Sequence, residues 1–306
     1  MAHQDFETLL QQHSDLALQT IRALGGRLTY AHNMTIQDLH EKNLQLQSAY
    51  LELQEAHEQI VEKKRLEREL QLAREIQQSI LPDVLPKFAG YDFGALMSPA
   101  RAVGGDFFDV FPLGRDRIGV VIGDVADKGI PSAIFMAQTH AMVYTEATRC
   151  KSPTEVLIRV NRHLMRMGTS KLFVTVLYGV LDRRKNEFTY ARAGHEIPLL
   201  LAHGQPIEFV QWGQGQPLGM FEHPTLDQQV LPLSPGTTLL FYTDGLADCR
   251  NPAGEFFGID RVKALLPTLQ HLQAPKICEQ IWERLSDFQQ GAAQDDDVTM
   301  VVLSSP

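Results

Sequence analysis

Between Ile36 and Pro82 the chain contains neither proline nor glycine, and its apolar residues recur on a helical period. Leu39, Leu46, Leu53 and Ile60 fall seven apart, with Ile36, Asn43, Tyr50 and His57 at the matching second position of the heptad. A two-stranded coiled coil buries such a stripe, and the polar seam residues keep it marginal. Thr35, followed three residues later by Asp38, resembles a capping box, so one long helix is expected from Ile36 to Leu81. Beyond Ile60 the apolar series resumes as Leu66, Leu70, Ala73 and Ile80, one residue out of step, across a charged stretch containing Lys63, Lys64, Arg65, Glu67 and Arg68. A phase break of this kind locally overwinds or unwinds a supercoil. Upstream, Phe6, Leu9, Leu10, Leu16, Ile21 and Leu24 line one face of a shorter helix that Gly25-Gly26 weakens or ends. Pro82 and Pro86 each lack an N–H and restrain the residue before them, which stops the long helix. The expected organisation is a short helical segment over residues 1–35, a dimerising linker helix over 36–81, and a larger domain over 82–306.

From Tyr91 the pattern changes to short β-rich runs. They are Phe107 to Phe111, Ile118 to Val125, Phe173 to Leu181, Glu187 to Ala193, Pro198 to Leu201, Thr237 to Tyr242 and Val298 to Leu303. Helical stretches lie between them: Ile130 to Thr148, Thr154 to Met167, Ile259 to Leu269 and Pro275 to Gln289. Arg183-Arg184-Lys185-Asn186 reads as a hairpin turn, which implies antiparallel pairing of its flanking strands. Strands grouped as hairpins and helices grouped in pairs predict an α+β domain in which helices cover sheets, in preference to a doubly wound parallel sheet.

Composition narrows the function. The 306 residues carry 28 Lys and Arg against 37 Asp and Glu, a formal charge of -9, and no basic tract that could neutralise several phosphates. Nucleic-acid binding and attachment to anionic membranes are therefore disfavoured. Cys150, Cys249 and Cys278 are far apart and form no Cys-x-x-Cys pair, so neither a disulfide framework nor a zinc ribbon is expected, and a reducing cytoplasmic setting fits. The first residues show neither the basic start nor the apolar run of a signal peptide, and no segment is apolar enough to insert into a membrane.

The chemistry resides in aspartates placed where strands meet loops. Asp106 follows Gly104-Gly105, Asp124 closes the run from Ile118 to Gly123, Asp244 closes the run from Leu239 to Thr243, and Asp295-Asp296-Asp297 precedes the strand at Val298. Each alone has an ordinary explanation: Asp-Gly is a turn dipeptide, Gly-Gly-Asp fits a bulge, and an acidic triplet makes a soluble loop. Together they offer what hard divalent ions require, which is oxygen ligands collected from distant segments on rigid strands. Two such ions about 3.5–4 Å apart activate a water for in-line attack on phosphorus.

Ala100-Arg-Ala-Val-Gly-Gly-Asp-Phe-Phe-Asp109, Ile122-Gly-Asp-Val-Ala-Asp-Lys-Gly-Ile-Pro-Ser132, Ala193-Gly-His195, Pro217-Leu-Gly219, Tyr242-Thr-Asp-Gly-Leu246 and Asp296-Asp-Val-Thr299 stand in order along the chain. In this order they resemble the motifs of the stage II sporulation protein E and sigma-B regulator U phosphatases, bacterial members of the metal-dependent PPM (PP2C-like) serine/threonine phosphatases. The resemblance covers about residues 70 to 306. It implies an α-β-β-α sandwich with two Mn²⁺ or Mg²⁺ ions in a cleft between sheet edges. Asp124 would bridge both ions, Asp244 and Asp296 would serve one, and Asp106 with the backbone carbonyl of Val125 the other. Asp296 is the implied ligand because the family pattern places it three residues before Thr299, with Asp295 and Asp297 as alternatives.

The resemblance also implies a substrate, phosphoserine or phosphothreonine on a regulatory protein of the STAS-domain anti-sigma-factor antagonist type. Separately, the phase break near Glu62 to Leu66 leads to the expectation that the N-terminal helical homodimer controls the assembly of the cleft. Two other classes use the same sequence features: a two-metal phosphoesterase acting on small substrates, and a non-catalytic coiled-coil scaffold. Lys128 and Arg101 are the nearest cations in sequence for screening a phosphoryl group, though each also suits an ordinary surface position. His195 reads as a satisfied structural histidine, Glu196 departs from the small residue, Pro or Asn usual after the family's Gly-His, and Phe135, Met136 and Met142 read as core.

Overall fold

The computed structural model describes residue 7 and residues 14–168, 172–202, 208–209 and 215–305. The chain divides into two compact units, Met1–Arg68 and Glu69–Pro306. Helix α1 runs without interruption over Ser14–Gln78. This corrects the expectation of two helices. Gly25 and Gly26 lie inside α1 with open space around them, and Thr35 is not a cap, because its hydroxyl donates to the Ala31 carbonyl one turn back. An exposed glycine costs a helix about 1 kcal/mol relative to alanine, too little to break one flanked on both sides by strong helix formers. Phe6, Leu9 and Leu10, expected on the first helical face, lie outside the described residues. The heptad residues Leu39, Leu46, Leu53 and Ile60 are 53% to 71% exposed.

The second unit holds two five-stranded sheets. One contains β2 (Phe107–Pro112), β3 (Arg117–Val125), β4 (Val174–Asp182), β5 (Glu187–Ala193) and β8 (Asp227–Pro232), side by side in that order. The other runs β1 (Asp92–Ser98), β10 (Val298–Ser304), β9 (Thr238–Tyr242), β6 (Leu199–Leu201), β7 (Glu208–Phe209). Every pairing within the two sheets is antiparallel. The Arg183 to Asn186 turn joins β4 to β5 with Asp182 opposite Glu187, as its sequence predicts.

Period-two alternation sorts the strand side chains into layers. Ile118, Val120 and Ile122 of β3 face Val301 and Leu303 of β10 and Leu239 and Phe241 of β9 in a core between the sheets. Val121 and Val125 point the other way, against α2 (Ile130–Arg149) and α3 (Pro153–Met167), where Phe135 and Met136 are buried and Met142 is partly buried. Val298, Met300 and Val302 of β10 pack outward on α5 (Ile259–Leu269) and α6 (Ala274–Gln289). The result is the expected α-β-β-α sandwich. Strands β1, β7 and β8 and the five-residue helix α4 (Asp244–Asp248) carry no clear pattern in the sequence and emerge from pairing. Among the described residues, no helix is long and apolar enough to cross a membrane.

Candidate functional site

Antiparallel pairing places the start of one strand beside the end of its neighbour, and that rule assembles the site. In the first sheet Phe107 opens β2 opposite Gly123 near the end of β3, so Asp106 and Asp124 meet. In the second sheet Met300 near the start of β10 lies opposite Tyr242 at the end of β9, which brings the 295–297 loop to Asp244. Two threonines then join the sheets. Thr243 and Thr299 both donate from Oγ1 to Oδ2 of Asp106, at 2.9 and 2.6 Å.

The carboxylates grade from floor to rim: Asp106 is fully buried, Asp124 and Asp296 are half-buried, and Asp244 is exposed. Their titration reports the crowding. Burial, then the charges of Asp124 and Asp297, hold the Asp106 carboxyl well above its ordinary value, against the two threonine hydroxyls. Burial, then Asp244 and Asp296, push Asp124 up as well, while a hydrogen bond from the Asp106 carboxyl opposes the rise. Two carboxyl groups can share a hydrogen bond only through a proton. Asp244, exposed at the rim as a residue, has its carboxyl partly enclosed by neighbouring groups, and that desolvation, then Asp296 and Asp248, raises it.

The acidic triplet divides by partner. Asp297 is buried and spent on backbone: its oxygens accept from the N–H of Ala100 (2.8 Å) and Gly105 (2.9 Å). Asp296 faces the cleft and pairs with Nζ of Lys128 at 3.0 Å, while the Asp295 carbonyl accepts from the same ammonium. Lys128 is therefore drawn onto the acidic loop, and Arg101 is exposed. Asp127 sits at φ 78 in the turn from β3 to α2, a backbone conformation uncommon for a residue other than glycine. That turn presents the Lys128 side chain to Asp296.

The glycines are required by close approach. A Cβ on Gly104 would lie 2.0 Å from Oδ2 of Asp297, and one on Gly245 would lie 2.0 Å from the Asp297 carbonyl. At Gly105 a Cβ would meet the Val125 carbonyl at 2.7 Å, so that carbonyl stands in the same corner as Asp106. His195 is buried, bonded through Nδ1 to the Thr175 hydroxyl at 2.9 Å, and held neutral with its pKa down to about 3 by burial and then by Arg192. It is not poised to donate a proton. Glu196 lies at the surface near Asp244, which, after partial burial, raises its carboxyl.

All the donors that converge here are oxygens, the set that Mg²⁺ and Mn²⁺ prefer. Among the described residues, no three His, Cys, Asp or Glu side chains are already drawn tight enough to enclose an ion. Burial first and mutual repulsion second raise these carboxyls, and a cation standing between them would relieve both. The residues thus fit a hard divalent cation. Thr243 and Thr299 lie within motifs of the sequence, but their bonds to Asp106, the structural role of Asp297 and the part played by Gln77 had no signal there, since those partners are fixed by strand register and chain packing.

Residues 114–306 match the family model described as stage II sporulation protein E (SpoIIE). The chain belongs to that family. The Asp106 motif lies just ahead of the matched stretch, and its place beside Asp124 comes from the fold. Protein IcfG of Synechocystis is 32% identical over 262 residues, 77% of this chain and 41% of IcfG, so the chain spans less than half of that relative. Phosphoserine phosphatase RsbU of Bacillus subtilis is 27% identical over 78% of this chain and 70% of its own length. The SiaA-PP2C domain of Pseudomonas aeruginosa superposes with a TM-score of 0.71 over 80% of this chain and 98% of that domain, at 23% identity, which shows the PP2C-like fold.

Proposed function

We propose that this chain is a metal-dependent protein serine/threonine phosphatase that hydrolyses phosphoserine or phosphothreonine on a regulatory partner of the STAS-domain type. The observation that supports this most is the convergence of Asp106, Asp124, Asp244 and Asp296, from four separate segments, at one end of a PP2C-like sandwich. The named activity of the relative RsbU, a phosphoserine phosphatase, points the same way. Asp124 interacts with Asp106 and with both Asp244 and Asp296, which suits it to be shared between two ions. Asp106 and the Val125 carbonyl would hold one, Asp244 and Asp296 the other. Bound Mg²⁺ or Mn²⁺ would supply the activation of water and the neutralisation of phosphoryl charge.

The chain's own groups supply the rest. Thr243 and Thr299 fix one oxygen of Asp106, Oδ2, and so orient its carboxyl. Lys128 holds Asp296 in place and offers a cation at the cleft mouth for the phosphoryl oxygens. No thiol is set up as a covalent nucleophile among the described residues: Cys249 and Cys278 are buried, Cys150 is half-buried, and burial raises all three thiols, Cys278 to about 12. Water attacks directly, and no phosphoenzyme forms. The exposed heptad stripe of α1 supports a homodimer through which an upstream signal reaches the domain.

The test is release of phosphate from a phosphoserine STAS-domain protein, with and without Mn²⁺, beside the same assay on nucleotides. Mn²⁺-dependent release from the protein, abolished by Asp124→Ala, is expected. Release from nucleotides alone would transfer the chain to small-substrate phosphoesterases, and no release with Mn²⁺ bound would make it a scaffold.

A further inference from the structure

Among the described residues of α1, Gln77 alone is buried; the rest are exposed or half-exposed along its whole length. Its side-chain amide makes two hydrogen bonds to one residue. Nε2 donates to the Gly104 carbonyl at 2.7 Å, and the Gly104 N–H donates to Oε1 at 3.1 Å. This is the pairing one strand offers another, made by a side chain, and it satisfies both backbone groups of Gly104 at once. On its other side Gly104 is pressed against Asp297, with no room for a Cβ, and the next N–H, that of Gly105, is already held by that carboxylate. The peptide leading to Asp106 is therefore clamped between the last turn of α1 and the acidic loop that carries Asp296.

We infer that Gln77 is a positioning residue through which the end of helix α1 sets the affinity of the acidic cleft for divalent cations. The inference rests on the metal-dependent reading above and deepens it. The amide offers a donor and an acceptor side by side, matching both groups of Gly104: a carboxylate lacks the donor, and an apolar side chain lacks both donor and acceptor. The geometry is also selective for helix phase. Successive residues of an α-helix are set about 100° apart, so a turn by one position carries Gln77 off Gly104 and puts Ile76 or Gln78 in its place. With the clamp open, two backbone groups of a tight loop lose their partners, and Gly104 to Asp106 gain freedom that metal binding must then remove. An event that turns α1 would thus be read at the cleft as weaker binding of metal.

The experiment is Mn²⁺ titration by calorimetry on the full chain, comparing wild type with Gln77→Met and Gln77→Glu, together with turnover at saturating Mn²⁺. Each variant should raise the Mn²⁺ dissociation constant by about tenfold or more, the usual effect of removing a partner that orients a metal ligand. Turnover at saturating Mn²⁺ should return to near the wild-type value. A merely structural glutamine would lower the melting temperature and leave Mn²⁺ affinity unchanged, and that outcome overturns the inference. A second measurement needs no variant. By linkage, Mn²⁺ should slow hydrogen exchange both in Gly104–Asp106 and in the last turn of α1 at residues 75–81. Slowing confined to the first segment also overturns it. A wild-type chain that binds no Mn²⁺ overturns both this inference and the phosphatase reading, whereas normal wild-type binding with unaffected variants overturns the clamp alone.

Discussion

At the scale of single residues, the site is a set of charges kept close against their own repulsion. Asp106 and Asp124 are raised mainly by burial and by neighbouring carboxylates, so in the folded chain without metal they resist ionisation. A carboxyl whose folded pKa lies above its unfolded value favours the folded state fully below the unfolded pKa, and that contribution is lost as pH rises through the folded value. For Asp124 the folded value is about 7, so the loss falls between about pH 4 and pH 7. Replacing it with Asn removes the penalty. The metal-free Asp124→Asn variant should therefore be more stable than wild type near pH 7, by about 1–2 kcal/mol, and the gap should close towards pH 4. Mn²⁺ should stabilise wild type and not the variant. Thermal melts over that pH range, with chelator and with Mn²⁺, read all three outcomes; a variant less stable than wild type without metal would refute the repulsion. The four carboxylates were legible in the sequence because each sits where a strand meets a loop, Asp106, Asp124 and Asp244 beside glycine and Asp296 within an acidic triplet. The bonds made by Thr243, Thr299 and Gln77 were not, because partners 137, 193 and 27 residues away are chosen by strand register and by the docking of a helix end, which composition does not encode.

At the scale of elements, local pattern gave most boundaries to within a residue or two, and the exceptions have physical causes. Strand β1, Asp-Phe-Gly-Ala-Leu-Met-Ser, has no β-branched residue and exists because seven of its residues pair with β10. Strand β8 alternates polar and apolar residues too weakly to announce itself and forms on the edge beside β5. Asp244-Gly245 has turn chemistry yet opens the short helix α4, which its neighbours hold in place. The opposite mismatch lies in α1, where Gly25-Gly26 has the chemistry that weakens or ends a helix and the helix continues through it. Since Gly25 and Gly26 are exposed helix interior with space for a Cβ, alanine at each should stabilise the helix by about 1 kcal/mol. Circular dichroism of the double variant should show more helix retained on heating, with Mn²⁺-dependent turnover unchanged. A loss of helix would mean that the chain does bend at that point.

At the scale of the whole molecule, two kinds of stability are combined. The sandwich buries its apolar residues in three layers and supports the cleft by long-range pairing, whereas α1 exposes Leu39, Leu46, Leu53 and Ile60 to solvent in the single chain. An isolated amphipathic helix gains little from its own hydrogen bonds, and most helical stability comes from covering the apolar face. A second copy of the same stripe supplies that cover with a geometry heptads already specify. The polar seam residues Asn43 and His57 make the pairing marginal, and the change of step between Ile60 and Leu66 leaves the two parts of the stripe unable to face one straight partner together. Sedimentation should accordingly find a dimer whose dissociation is measurable at micromolar concentration. Leu46→Lys with Leu53→Lys should make the chain monomeric, because two ammonium groups would be forced into an apolar seam. If the helix pair controls the cleft, the monomeric variant should also need more Mn²⁺ for half-maximal turnover while reaching a similar maximum. A monomeric wild type would remove the dimer from the proposal, and a monomeric variant with an unchanged Mn²⁺ requirement would separate dimerisation from control, leaving the clamp at Gln77 to respond to another cause.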